Sequence, residues 1–177
     1  MTKHWRAPFG AGVLLLLYAS APTLADVVNA AAGGFEVRET VHVASSPDKA
    51  YALLLTPSHW WHSDHTYSGN AANLTLDARA GGCWCESLPD GGSVQHMTVV
   101  YVAPGKLLRL RGALGPLGSM AVDGVMTWSV KSAAGGSDIV LTYAVAGMSP
   151  QGFDSLSKAV DQVLAEQIGR LKKLLEG

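Results

Sequence analysis

The stretch DSLSKAVDQVLAEQIGRLKKLL, residues 154–175, decides how the rest of the chain must be arranged. With the residues just ahead of it included, apolar side chains recur at three- and four-residue steps: Phe153, Leu156, Val160, Val163, Leu164, Ile168, Leu171, Leu174 and Leu175. Asp161, Glu166, Arg170 and Lys172 fall on the other side. That is the period of one long amphipathic helix, about 24 residues from Gln151 onward. Gly169 inside it either weakens the helix by ~1 kcal/mol relative to alanine or lets it approach a neighbour closely. A stripe of this length needs a broad apolar partner.

Upstream of the helix the period is two. LTLDAR runs to the Gly81-Gly82 break, CWCESL to the turn PDGG, and SVQHMTVVYVA to the turn PGK. LLRLRGAL then leads to GPLGSM, VDGVMTWSV to AAGGS, and DIVLTYAVAG closes the series. Short alternating runs separated by turn residues read as strands of one antiparallel sheet. FEVRETVHVA, residues 35–44, is a further strand. It sets Phe35, Val37, Glu39, Val41 and Val43 on one face and Glu36, Arg38, Thr40 and His42 on the other.

Between that strand and the series lie two short helices. Ser46 is a suitable N-cap, Pro47 suits the first turn, and Asp48 suits the positive end of the helix dipole. The spacing predicts a helix over about Pro47–Leu55. Pro57 ends it and opens another through PSHWWH, and SDHTYSGNAAN follows as a loop. The fold class is therefore α+β: a strongly curved antiparallel sheet of about six to seven strands, two short helices, and one long C-terminal helix laid across the concave face.

The N-terminus has a different character. MTKHWR carries Lys3 and Arg6, PFGAGVLLLLYASA is uncharged and apolar, and PTLA places small residues before Asp26. This is the tripartite pattern of a secretory signal peptide over residues 1–25, cleaved after Ala25. Its apolar core is short for a retained membrane anchor, which needs roughly 20 residues. No stable membrane insertion is expected after leader removal, and a periplasmic or secreted location follows. DVVNAAAGG, residues 26–34, is small and flexible and reads as a linker, so the domain proper spans 35–177.

Without the leader the chain keeps eleven basic and fourteen acidic residues, a net charge of −3. A slightly acidic domain lacks the electrostatic footprint of a nucleic-acid binder, so no nucleic acid is expected as a partner. The two cysteines, Cys83 and Cys85, exclude a disulfide-built fold. On a strand they share a face, and a bridge between them would strain ordinary disulfide geometry, so they read as two small semi-buried residues.

The order of elements resembles the helix-grip fold of the START-like, or SRPBCC, superfamily. Within it the chain resembles the branch of polyketide cyclase/dehydrase and activator-of-Hsp90-ATPase-homologue domains. The matching stretches are VHVASSPDKAYALLL, the HWW that ends the second short helix, LRL after YVAPGK, and the terminal helix. The likeness covers roughly residues 35–175. It implies a deep pocket between the long helix and the concave sheet, often for apolar small molecules. A secretion leader would separate this chain from cytosolic Hsp90, so that activity is set aside.

The stretch SHWWHSDHTYSG, residues 58–69, stands out for its histidines and tryptophans. His59, His62, Asp64 and His65 are acceptable metal ligands, with Cys83, Cys85, Glu86 and His96 as conceivable partners. The run matches no strong ligand template, and neither a metal nor another cofactor is expected. Trp60 and Trp61 point about 100° apart on a helix, so one can enter the core while the other roofs a pocket. The expected ligand-contacting set is Trp60, Trp61, His62, His65 and Tyr67 at the entrance, Trp128 and Tyr143 from the sheet, and Phe153 and Leu156 from the long helix. Core packing accounts equally well for Trp60 and Trp61, and it explains any one of Trp128, Tyr143 and Phe153 more often than binding does.

Arg109 and Arg111 share the face opposite Leu108 and Leu110, which is solvated if convex. Glu86 and His96 lie on strands joined by the PDGG hairpin, and a Glu–His pair could serve as acid or base. GALGPLGSMAVDG has no helix N-terminus to hold phosphate and reads as a mobile pocket rim. The expected function is binding of an apolar or amphipathic small molecule in a cavity beneath the long helix. The alternatives are a cyclase- or dehydratase-type enzyme using dispersed His and Glu residues, and a stress-related partner protein with a filled interior and no ligand.

Overall fold

The computed structural model describes residues 24–177. Most of the expected leader, residues 1–23, lies outside the described residues. Eight antiparallel strands form one open, curved sheet in the order β1-β2-β8-β7-β6-β5-β4-β3. The strands are β1 (Leu24–Ala31), β2 (Gly34–Val43), β3 (Leu74–Leu76), β4 (Cys83–Ser87), β5 (Ser93–Ala103), β6 (Leu107–Arg111), β7 (Val122–Ala133) and β8 (Gly136–Gly147). The helices are α1 (Pro47–Leu54), α2 (Pro57–Trp60) and α3 (Asp154–Glu176). The long helix lies against the sheet in the helix-grip arrangement.

Two expectations are corrected here. Residues 26–34 are not a linker, because residues 24–31 form β1, which hairpins onto β2 with Val27 opposite Val37 and Ala30 opposite Phe35. The small side chains hid the strand from any alternation test, but the open edge of β2 offers backbone partners whatever the side chains are. The strand count rises to eight for this reason. The second correction concerns Cys83 and Cys85, which form a disulfide across two positions of β4. Their Cα atoms are 5.4 Å apart, within the ordinary disulfide range. The register between β4 and β5 shifts between Trp84 and Cys85, and such a bulge bends the strand.

Elsewhere local chemistry acts as expected. The Ser46 side chain accepts from the Lys49 N–H at 3.3 Å and caps α1. The PDG turn, Pro89–Gly91, carries Asp90 at φ 59° and joins β4 to β5. Burial alternates along the strands. Phe35, Val37, Glu39, Val41 and Val43 point inward from β2, as do Leu108 and Leu110 from β6, and Ile139, Leu141, Tyr143 and Val145 from β8. Arg109 and Arg111 point out to the convex, solvated face, where Arg111 Nε lies 2.6 Å from Asp123 Oδ2 and Arg109 Nε donates to Thr127 Oγ1.

The C-terminal half of α3 packs into the core. Ile168, Leu171 and Leu175 are fully or almost fully buried, and each contributes about 1.5–3 kcal/mol by leaving water. Ala50, Tyr51 and Leu54 of α1 are buried as well. Ser45, just before α1, donates to the Leu175 carbonyl at 2.9 Å, and Ser137 of β8 donates to the Ser45 carbonyl at 2.9 Å. This end of the molecule is locked by packing and by satisfied buried hydroxyls.

Candidate ligand cavity

Toward the N-terminal end of α3 the helix stands off from the sheet. A cavity of about 300 Å³ lies there, at the lower end of the range typical of small-molecule sites. Leu156, Ala159, Val160, Val163 and Leu164 form its helical wall. Leu74 of β3, Trp84 of β4, His96 of β5 and Tyr143 of β8 form its sheet wall. Trp61 and residues 64–67 close one side, and residues 114–117 close the other. The lining is mostly carbon, with a few polar groups at set points.

The segment 61–70 is a flap fastened at both ends. On the helix side, Gln167 Oε1 accepts from the His62 N–H at 2.7 Å, and Arg170 Nε donates to the Trp60 carbonyl at 2.9 Å. His65 Nε2 lies 3.1 Å from Glu166 Oε2, with His62 Nε2 3.9 Å from the other oxygen. On the sheet side, the buried Glu86 carboxylate accepts from the Ser68 N–H, from the Tyr67 N–H at 3.1 Å, and from His96 Nε2 at 2.9 Å. Burial pushes the Glu86 pKa up, but the hydrogen bonds from Ser68, Tyr67 and His96 outweigh it and hold the carboxyl below its ordinary value. Tyr67 stays half-exposed, packs its ring 5.8 Å from the His96 ring, and donates from its hydroxyl to the Gly115 carbonyl at 2.8 Å. It therefore joins the flap to the opposite rim.

That rim is held from below by Tyr143. Its hydroxyl donates to the Gly112 carbonyl and accepts from the Leu114 N–H, both at 3.0 Å. Burial raises the Tyr143 pKa to about 12, with the Asp123 charge adding to the rise and the Leu114 N–H opposing it. Gly124 makes room for this ring, since a Cβ there would sit 2.6 Å from Tyr143 Cε2.

The expected site residues divide. Trp61, His65, Tyr67, Tyr143 and Leu156 line the cavity. His62 does not, because its ring turns toward Glu166 and its Nδ1 accepts from the Asp64 N–H at 3.2 Å. Trp60 and Trp128 are core residues, with ring centroids 5.6 Å apart around a void of only about 10 Å³. Phe153 is buried against Phe35 at 5.8 Å between ring centroids. His59 is exposed, and among the described residues no three His, Cys, Asp or Glu side chains are arranged to hold a metal ion.

Sequence reasoning missed Trp84 and underrated His96. Trp84 was findable, because it shares a strand face with Glu86. Its ring continues a chain of aromatic contacts from the core to the cavity: Trp128 to Trp60 at 5.6 Å, Trp60 to Trp61 at 5.5 Å, Trp61 to Trp84 at 5.0 Å, and Trp84 to His96 at 6.2 Å.

Solved structures share this architecture at low identity. An uncharacterised protein from Rhizobium leguminosarum aligns with a TM-score of 0.61 at 16% identity, over 88% of this chain and 98% of that one. The Aha1 protein of Colwellia psychrerythraea gives 0.52 at 17% identity, over 80% and 96%. CalU16 from Micromonospora echinospora gives 0.51 at 11% identity, over 85% and 87%. These likenesses concern the fold. No curated protein matches the sequence. Residues 34–176, which carry the grip, the flap and every wall of the cavity, match the family described as polyketide cyclase / dehydrase and lipid transport, and the chain belongs to that family.

Proposed function

We propose that this domain binds an apolar or amphipathic small molecule in the cavity between α3 and the sheet. The observation that carries the reading is the unfilled volume of about 300 Å³ beside a core that is otherwise closely packed. The family description, which includes lipid transport, agrees with it. Trp61, Tyr67, Tyr143 and Leu156 serve as ligand contacts in this reading, with Trp84, His96 and Val160 added to them.

The test is titration with N-phenyl-1-naphthylamine, a neutral apolar fluorophore. The wild-type protein should show a saturable, one-to-one rise in fluorescence. Val160→Trp, which fills the cavity from the helix side, should weaken uptake at least about tenfold while thermal unfolding stays cooperative. Absence of saturable uptake by the wild-type protein would sink the reading.

A second reading, acid–base catalysis of the cyclase or dehydratase type, draws on one observation: the Glu86–His96 pair, 2.9 Å apart and buried, with His96 in the cavity wall. Such a pair can relay a proton to a bound molecule. We place the domain in the periplasm or outside the cell. The leader-like residues 1–25 support this, as does the Cys83–Cys85 bridge, since disulfides persist in oxidising compartments. Mass measurement of protein from a periplasmic fraction, expected to begin at Asp26, checks it.

A further inference from the structure

The Cys83–Cys85 bridge closes a loop with a single intervening residue. A cross-link stabilises a fold by limiting the unfolded chain, and that effect is smallest for the shortest loops. Stability alone does not account for a bridge at this place. Both faces of β4 are informative. Trp84 and Glu86 point inward and are buried, whereas Cys83 and Cys85 alternate to the outer face and are partly exposed. Their cross-strand neighbours there are Thr75, Gln95 and Thr98, all polar and none buried. A small thiol in solvent can approach the bridge from that side. On the inner face Trp84 lines the cavity. Glu86, next after Cys85, accepts from the Tyr67 and Ser68 N–H groups and so holds the sheet side of the flap.

The bridge also coincides with the bulge between β4 and β5. Trp84 pairs with Met97 and Cys85 with Gln95, so His96 is the extra residue of β5. His96 and Met97 are both buried although adjacent, and His96 meets Glu86 at 2.9 Å. Opposite this extra residue the Cα atoms of Cys83 and Cys85 are 5.4 Å apart. Two residues of an extended strand span about 6.6 Å. The covalent link holds this stretch of β4 contracted, and its loss frees the strand to lengthen by about 1 Å. The Tyr67 N–H lies 3.1 Å from Glu86 Oε2. A displacement of that size at Glu86 breaks such a bond, since hydrogen bonds fail beyond about 3.5 Å.

We propose that Cys83–Cys85 is a thiol–disulfide exchange site whose reduction by an external dithiol releases the flap from Glu86. A thiolate of the dithiol attacks one cysteine sulfur, the S–S bond breaks, and the other sulfur leaves as a thiolate that takes a proton. The second thiol of the reductant then displaces the first cysteine from the mixed disulfide. The chain gains two electrons and two protons, and the dithiol becomes a disulfide. The flap closes one side of the cavity, so on the binding function proposed above the surrounding thiols govern the access of a guest.

Amide hydrogen exchange of the oxidised and the dithiothreitol-reduced protein, read by NMR without any ligand, tests the proposal. Iodoacetamide labelling and mass measurement count the new thiols. Two labels per chain are expected in buffer free of denaturant. In the reduced protein the Tyr67 and Ser68 amides should exchange at least about tenfold faster, while the Ile168 and Leu171 amides keep their rates. The double variant Cys83→Ser with Cys85→Ser should match the reduced protein and ignore dithiothreitol. The wild-type pair of measurements stands even if that variant fails to fold. Labelling only in unfolding concentrations of urea would overturn the exchange site. Labelling with unchanged exchange at Tyr67 and Ser68 would overturn release of the flap. Loss of protection in α3 as well would make the bridge a staple of the whole fold and overturn the proposal. No ligand enters the measurement, so failure of the binding function is a separate result.

Discussion

The two halves of α3 carry the same apolar periodicity and meet different fates. In the C-terminal half, Ile168, Leu171 and Leu175 are buried against a filled core. In the N-terminal half, Leu156, Val160 and Val163 remain partly exposed and face a cavity. The difference lies in what stands opposite. The closed end has α1 and the bonds that tie Ser45 to Leu175 and Ser137. The open end has a flap, held at its margins by Gln167, Arg170 and Glu86, and the facing rim at residues 114–117, arched over the space between. An apolar stripe states which face of a helix avoids water. It does not state whether side chains or a guest will cover that face.

Substitutions that act on one half and not the other can break this contrast. The largest effect is expected at the closed end. Leu171→Ala should cost about 2–5 kcal/mol in urea unfolding, because the surrounding side chains cannot close the void. Val163→Ala, on the cavity wall, should cost less than about 1 kcal/mol, since that side chain is only partly buried and already borders open space. Equal costs at the two positions would remove the distinction between the ends.

Next in size is Tyr143→Phe, which leaves the Leu114 N–H without its partner and should cost about 1–2 kcal/mol. It also has a pH signature. The Tyr143 pKa is raised from 10.0 to about 12 in the folded protein. Its contribution is complete below the unfolded value and is lost as pH rises through the folded one, so wild-type stability should fall between about pH 10 and 12. The phenylalanine variant should lack that part of the decline in melts across the same range. The smallest effect is expected at Gly169. A Cβ there meets open space, so close approach to the sheet is not its role. Gly169→Ala should raise stability by up to about 1 kcal/mol, read as a higher urea midpoint.

Much of the architecture was legible because it rests on periods. The 3.6-residue stripe of α3, the two-residue alternation of β2 and β6, and the Ser46-Pro47 start of α1 are local signals, and each element forms where they place it. β1 was not legible, since its small residues carry no alternation and its pairing depends on an edge formed elsewhere in the chain. The site was half legible. Trp61, Tyr67 and Tyr143 reach the cavity, whereas Trp60, Trp128 and Phe153 lie in the packed core. Alternation fixes the face of a side chain, while its depth along the groove depends on strand order and helix tilt. The Glu86–His96 contact was within reach of the hairpin argument, but only tertiary placement shows that Glu86 also holds the flap.

The central claim is that apolar space exists beneath the N-terminal half of α3 and accepts a guest. Diffraction from crystals under xenon pressure tests it most directly, because xenon occupies apolar cavities without needing polar contacts. The account predicts xenon density among Trp61, Leu114, Val160 and Leu164. A continuous packing of side chains at that position, with no xenon, would contradict it.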